Sequence, residues 1–390
     1  MTLHTGRHFL QIPGPSHVPD RVLRAMDRAV LDHRGPEFQA LGRSVLEGCR
    51  TVFGTTGPVI IFPSSGTGAW EAAIVNTLSP GDRVLMVETG QFAALWKAMA
   101  EKLGIVVDLI PGDWRHGVDA GAIEAKLAED RAHAIKAVMV VHNETSTGVT
   151  SDIPAVRRAI DAVSHPALFM VDTISGLASI DYRHDDWGVD VTVSGSQKGL
   201  MLPPGLGFNA VSAKALAASK SAALPRAYWR WEEMLAPNAT GFFPYTPATT
   251  LLYGLQEALA MLAEEGLPNV FARHRRHAEA TRRAVRAWGL EILAANEAEM
   301  SPVLTGVIMP EGHDADRLRG VILDRFDMSL GQGLGKVKGR VFRIGHLGYF
   351  NDLMLMGTLA GVEMGLIAGQ VPHKSGGTAA ALQYLAETGA

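Results

Sequence analysis

Between residues 59 and 194, short runs of Val, Ile, Leu and Met alternate with stretches whose apolar residues recur at helical spacing. Val59–Phe62, Val84–Val87, Val106–Ile110, Ala137–His142, Ala167–Asp172 and Val189–Ser194 read as strands. Between them, Trp70–Leu78, Phe92–Leu103, Ile123–Leu127 and Ala155–Val163 read as helices. Strands that are apolar throughout are covered on both faces, and their alternation with helices of about ten residues demands a mainly parallel, doubly wound sheet. The expected class is therefore α/β.

The texture changes after Pro247. Residues 250–288 carry helical periodicity with a break at Gly266-Leu267-Pro268, and from about 290 strands and helices resume at Val303–Met309, Ala315–Phe326, Val341–Ile344 and after Asn351. This divides the chain into a lead-in of residues 1–20, a large domain over 21–265 and a smaller C-terminal α/β domain over 266–390. Pro13, Gly14, Pro15 and Pro19 argue against regular structure in the lead-in, and Gly376 and Gly377 leave the tail weakly determined.

Composition narrows the function classes. Of 390 residues, 47% are apolar and the net charge is only -4, so no basic surplus points to nucleic acid. The densest basic run, Arg273-His274-Arg275-Arg276-His277, reads as a solvated helix face. No apolar stretch approaches the roughly 20 residues of a membrane helix, and no leader segment is visible. The single cysteine, Cys49, suits a reducing cytoplasm.

In open α/β sheets ligands sit at the carboxyl ends of strands, so the residues that follow each strand carry the argument. Ser64-Ser65-Gly66-Thr67-Gly68 is a glycine-bearing turn opening a helix, either a phosphate cradle or a plain capped turn. Neither it nor Gly331-x-Gly333-x-Gly335 has dinucleotide or Walker spacing. Asp172 ends an apolar strand, where it is a turn carboxylate or an anion facing a cofactor cation. Lys198, in Gly195-Ser196-Gln197-Lys198-Gly199, follows the next strand; it is a turn lysine or a poorly solvated nucleophilic amine. Arg343, between Phe342 and Ile344, is a core ion-pair partner or a carboxylate receptor. Taken together, phosphate cradle, strand-end acid, strand-end lysine and later arginine are what pyridoxal 5'-phosphate chemistry requires.

At these residues the sequence resembles the alanine/serine–glyoxylate aminotransferase family, class V of the fold-type I pyridoxal-phosphate enzymes, and its bacterial serine–glyoxylate members in particular. The resemblance includes Ile12-Pro13-Gly14-Pro15, Asp32-His33-Arg34, His142-Asn143-Glu144-Thr145, Pro203-Pro204-Gly205, Tyr245-Thr246-Pro247 and Arg343-Ile344-Gly345-His346, besides the blocks around Ser65 and Lys198. It implies Lys198 as the cofactor lysine and Asp172 as the partner of the pyridine nitrogen. It implies Ser65, Gly66, Thr67 and Gln197 as phosphate contacts, and Phe92, Ile174 and Thr145 around the ring. It further implies Tyr245 and Thr246 reaching the neighbouring subunit's phosphate in a homodimer, and Arg343 binding the substrate carboxylate, with His33 and Arg34 also in the substrate region. The implied reaction moves an amino group from a small amino acid, serine favoured, to glyoxylate; alanine and aspartate are the alternative donors. Two departures stand near the site: His17 where the family often has Asn, and Thr173-Ile174-Ser175-Gly176 where bacterial relatives usually read Gly-Val-Ser-Ser. A cysteine desulfurase would need Cys49 to be mobile, although it lies in the apparent helix Phe38–Val52, and an inactive binding protein on the same scaffold would not need the key residues kept.

Overall fold

The structure is a computed structural model and describes residues 5–389. After strand β1 (Phe9–Gln11) come α1 (Asp20–Met26) and α2 (Pro36–Phe53). The alternating region then runs β2 (Val59–Ser64), α3 (Gly66–Thr77), β3 (Arg83–Val87), α4 (Gln91–Lys102), β4 (Val106–Ile110), α5 (Ala120–Glu129), β5 (Ile135–Val141), a short hairpin of β6 (Asn143–Glu144) and β7 (Val149–Thr150), α6 (Ile153–Ala162), β8 (Leu168–Asp172), β9 (Val191–Gly195) and β10 (Gly205–Val211). Helices α7 (Ala213–Ser219), α8 (Trp231–Ala239), α9 (Thr249–Glu265) and α10 (Leu267–Ala287) follow. The remainder is β11 (Glu291–Ile292), β12 (Leu304–Ile308), α11 (Ala315–Phe326), β13 (Met328–Gln332), β14 (Val341–Gly345), α12 (Asp352–Ala368) and α13 (Gly377–Glu387).

Among the described residues, seven strands form the large sheet in the order β2-β10-β9-β8-β5-β3-β4. All its pairings are parallel except those of β10, which runs against both β2 and β9. The pleat divides each strand between two cores. Val59, Ile61, Leu85, Val87, Val138, Val140, Phe169 and Val171 face one; Ile60, Phe62, Val84, Met86, Ala137, Met139, Leu168 and Met170 face the other. Burial on both faces is why these strands read as unbroken apolar runs. The carboxyl ends of β2, β3, β5, β8 and β9 share one edge of the sheet, and the chemistry-bearing residues lie there.

A second sheet has the order β1-β13-β14-β12-β11 and its own core with α10 to α13. Here the structure departs from the sequence reading. The part of the lead-in that the structure describes is not irregular throughout, because Phe9–Gln11 pairs parallel with Met328–Leu330. The chain's N-terminal strand thus completes the sheet of its C-terminal half. Strand β13, which carries Gly331, and strand β10 were also not legible. In β10, Gly205, Gly207 and Asn209 alternate with Leu206, Phe208 and Ala210 and dilute the apolar signal.

The basic run on α10 is corrected as well. His274 and His277 are each 1% exposed, and of the five residues only Arg275 is exposed. Arg273 donates to both Glu265 oxygens and to the carbonyls of Gly348 and Phe350, and Arg276 makes a two-pronged pair with Asp352 (2.6 and 2.8 Å). These residues fix the turn at Gly348, which packs against Ser16.

Candidate active site

Lys198 follows β9 in the turn Gly195–Gly199 and is 7% exposed. Its Nζ donates to the carbonyl of Pro13. A Cβ at Gly14 would lie 2.5 Å from that nitrogen, so only glycine lets this backbone pass so close. Ser16 closes the contact: its N–H donates to the Gln197 carbonyl (2.9 Å) and its hydroxyl to the Lys198 carbonyl (2.8 Å). Burial, reinforced by the positive charge of Arg343, brings the Lys198 ammonium down from 10.5 to about 7, against the opposing attraction of Asp172. The result is an amine available in its neutral form near pH 7.

Asp172 ends β8 one strand away and is 3% exposed. Burial pushes its carboxyl up to about 7, although the Ile174 N–H (2.7 Å) and the Trp70 indole N–H (2.9 Å) both donate to it. Glu144 adds repulsion, while Lys198 offsets part of it. A buried carboxylate held by two donors yet short of positive charge would be favoured by a cation placed beside it. Ile174 and Phe92 flank this region. A Cβ at Gly66 would lie within 2.7 Å of Ile174 Cγ1, and Phe92 packs on Trp70 with ring centroids 6.4 Å apart.

The amino end of α3 abuts the lysine turn. Its hydrogen-bond ladder begins with Ala69 N–H donating to the Ser65 carbonyl (3.2 Å), so the N–H groups of Gly66, Thr67 and Gly68 precede it, and no side chain caps them. A Cβ on Gly195 would stand 3.3 Å from the Gly66 nitrogen and 3.0 Å from Gln197 Oε1 and would fill this recess. Gln197 Oε1 is buried without a partner, as is the hydroxyl of Tyr245, whose ring stacks on Tyr228 at 4.8 Å. Free N–H groups at a helix start, glycines kept clear and unsatisfied polar atoms beside them fit a phosphate group.

Arg343 projects from β14 and is 6% exposed. The ion-pair reading fails: among the described residues no carboxylate lies within ion-pair distance, and its bonds go to carbonyls, from Nε to Gln332 (2.8 Å) and from Nη1 to Thr145 (2.6 Å). Nη2 is left free. Burial draws its pKa down to about 10, with Glu144 opposing. A buried guanidinium steered by two carbonyls and lacking a counter-charge has the chemistry to receive a carboxylate.

The model of the class-V aminotransferases matches residues 8–330. The chain belongs to the class-V aminotransferase family. It is 49% identical to the serine–glyoxylate aminotransferase of Methylorubrum extorquens, over 99% of this chain and 98% of that protein. It is 44% identical to the L-aspartate–glyoxylate aminotransferase of Paracoccus denitrificans, over 98% of both. The solved ureidoglycine–glyoxylate aminotransferase of Bacillus subtilis superposes with a TM-score of 0.91 at 27% identity, covering 99% of this chain and 100% of the other. Class-V aminotransferases are pyridoxal-phosphate enzymes, and the residues above suit that cofactor.

Within this class-V aminotransferase, Lys198, Asp172, Ile174, Gln197, Ser65, Gly66, Thr67, Phe92, Thr145 and Arg343 lie on neighbouring strand ends or project toward them. His33 and Arg34 lie elsewhere, on the loop before α2. Arg34 is exposed and its backbone N–H donates to Asp32 (2.9 Å), while His33 Nε2 is buried without a partner. Thr246 is exposed and Tyr245 half-buried. Cys49 is buried within α2 with its thiol pushed up to about 12 by that burial, the reverse of the exposed, readily ionised thiol that a mobile nucleophile needs.

Sequence reasoning quoted Glu144 within a motif but gave it no role. It is fully buried and accepts from the N–H groups of Phe92 (3.3 Å) and Ala93 (3.1 Å) and from Ser146 (3.0 and 2.6 Å), so it anchors the start of α4 under Phe92. Burial raises its pKa against these donors. Its place directly after the buried strand Ala137–His142 was the available signal.

Proposed function

We propose that this aminotransferase transfers the amino group of a small, uncharged amino acid, serine first and alanine next, to glyoxylate, giving glycine and a 2-oxo acid (hydroxypyruvate from serine). The observation that carries this reading is Arg343, a buried guanidinium with a free Nη2 and no carboxylate of its own. One such receptor serves one carboxylate.

Pyridoxal phosphate, when bound, supplies an aldehyde that takes the amino group and a ring that spreads the electron pair left at the substrate Cα. Lys198 would hold the cofactor, and its neutral amine would carry the Cα proton across to the cofactor, so that the amino group stays behind when the 2-oxo acid leaves. The Pro13 carbonyl is the acceptor that steadies the amine. Asp172 keeps the proton on the pyridine nitrogen, and the cation it gains there offsets the cost of its burial. The N–H groups that open α3, with Ser65, Thr67 and Gln197, hold the phosphate, and Arg343 orients the substrate carboxylate. Glyoxylate has no side chain, so a tight pocket admits it and returns glycine.

The second reading is aspartate as donor, favoured by the 44% identity to the Paracoccus denitrificans protein. It needs a second cation for the side-chain carboxylate, and Arg34, the candidate the sequence offers, stands exposed on the loop before α2, apart from the strand-end residues. Single-turnover half-reactions with serine, alanine and aspartate decide between them. Serine should react fastest, and aspartate outrunning serine tenfold would overturn the serine assignment. In the same assay Arg343→Ala should lose about 30- to 150-fold in kcat/KM, the worth of charge-assisted hydrogen bonds of roughly 2–3 kcal/mol. The loss should be alike for amino donor and glyoxylate, since both present one carboxylate. Intact half-reactions would remove Arg343 from substrate binding.

The exposed Thr246 and the unpartnered Tyr245 hydroxyl support a homodimer in which this segment completes the neighbouring phosphate site. Sedimentation alongside an activity assay should find the active species dimeric or larger. A fully active monomer contradicts it.

A further inference from the structure

Ser175 lies in the turn after Asp172 and is 1% exposed. Its hydroxyl donates to the Asn143 carbonyl (2.8 Å) and accepts from Asn143 Nδ2 (2.7 Å) and from Thr145 Oγ1 (2.8 Å). With its one proton committed to a carbonyl, which cannot donate, the Thr145 hydroxyl must be the donor in the last bond. Ser175 therefore grips the 143–145 turn at three points, two side chains and one main-chain oxygen. The carbonyl of that same turn, at Thr145, accepts from Arg343 Nη1.

We propose that Ser175 is a positioning residue for the substrate carboxylate: by fixing the Thr145 turn it sets the angle at which Arg343 presents its free edge. The proposal rests on the aminotransferase reading above. It connects three separate parts of the chain: the turn that follows the Asp172 strand, the β6–β7 hairpin and strand β14 of the second sheet. Among the described residues Arg343 has two steering contacts, the Gln332 and Thr145 carbonyls, so loosening one leaves the guanidinium free to swing. Orientation loss of this kind weakens binding of any carboxylate at that arginine, whatever the rest of the molecule carries. It should leave the lysine, the strand-end aspartate and the phosphate recess as they are.

The test is Ser175→Ala in the cofactor-loaded protein, with glycolate as an unreactive carboxylate probe followed by calorimetry. Glycolate binding should weaken about fivefold, the size of one ordinary hydrogen bond. KM for the amino donor and for glyoxylate should rise by the same factor, with kcat within twofold. The decisive arm is the double-mutant cycle with Arg343→Ala. If Ser175 acts through Arg343, adding Ser175→Ala to that variant costs nothing further; an equal additional loss would assign Ser175 to general stability and overturn the proposal. Unchanged glycolate binding in the single variant would overturn it too. Should the alanine variant fail to fold, Ser175→Cys, whose sulfur is a weaker donor and acceptor, is read by the same criteria with a smaller expected loss. A parent protein that does not transaminate at all would strike the functional reading itself, whereas a transaminating parent with a silent Ser175→Ala strikes only this inference.

Discussion

Lys198→Met is expected to slow the half-reaction with an amino donor by about four orders of magnitude, the upper range for a group that moves a proton in the transition state. Methionine keeps most of the side-chain volume but has no nitrogen to take the Cα proton. The stability outcome runs the other way. Lys198 is 7% exposed, its amine has one hydrogen-bond partner, the Pro13 carbonyl, and burial has already brought its pKa to about 7. Folding therefore bears the cost of desolvating the ammonium, and that cost disappears in the variant. The cofactor-free variant should melt no lower than the cofactor-free parent. A half-reaction within tenfold of the parent would refute the role of Lys198, and a fall in melting temperature without loss of rate would make it structural.

Asp172→Asn is expected to slow Cα proton abstraction about a thousandfold. A carboxylate about 4 Å from a pyridinium, at an effective dielectric near 20, contributes roughly 4 kcal/mol, and losing that from the transition state is about three powers of ten. The structure adds a second effect. Both contacts made by the Asp172 carboxylate are to donors, the Ile174 N–H and the Trp70 indole. An amide has one accepting oxygen, so one buried donor loses its partner, at about 1–3 kcal/mol. Stopped-flow rates and melting temperatures separate the two effects. A rate within threefold of the parent would refute the electronic role, whatever the stability does.

The parts legible in the sequence were those whose signal is local. Val59–Ser64 and Leu168–Asp172 announced strands by their apolar runs and Val191–Gly195 by its β-branched Val-Thr-Val, and the residues that follow them announced the site. Arg343 could be named but its role could not, because an ion pair and a receptor look alike until the neighbours are known. The Thr145 and Gln332 carbonyls that hold it come from segments 198 and 11 residues away in the chain.

What stayed hidden depends on contacts between distant segments. Phe9–Gln11 is too short to signal a strand and exists because Met328–Leu330 offers an edge to pair with. That pairing brings Pro13 and Gly14 to Lys198, so a stretch whose prolines argued only against regular structure supplies an acceptor for the lysine amine. His274 and His277 looked like members of a solvated basic face, yet the α12 and Gly348 segments that bury them lie some 75 residues on.

The central claim is that Lys198 is the residue that carries the cofactor. Borohydride reduction of the cofactor-loaded protein, followed by proteolysis and mass mapping, tests it most directly. The pyridoxyl mass is expected on the peptide that contains Lys198 and on no other lysine; a label on a different lysine, or none with full activity retained, would contradict the account.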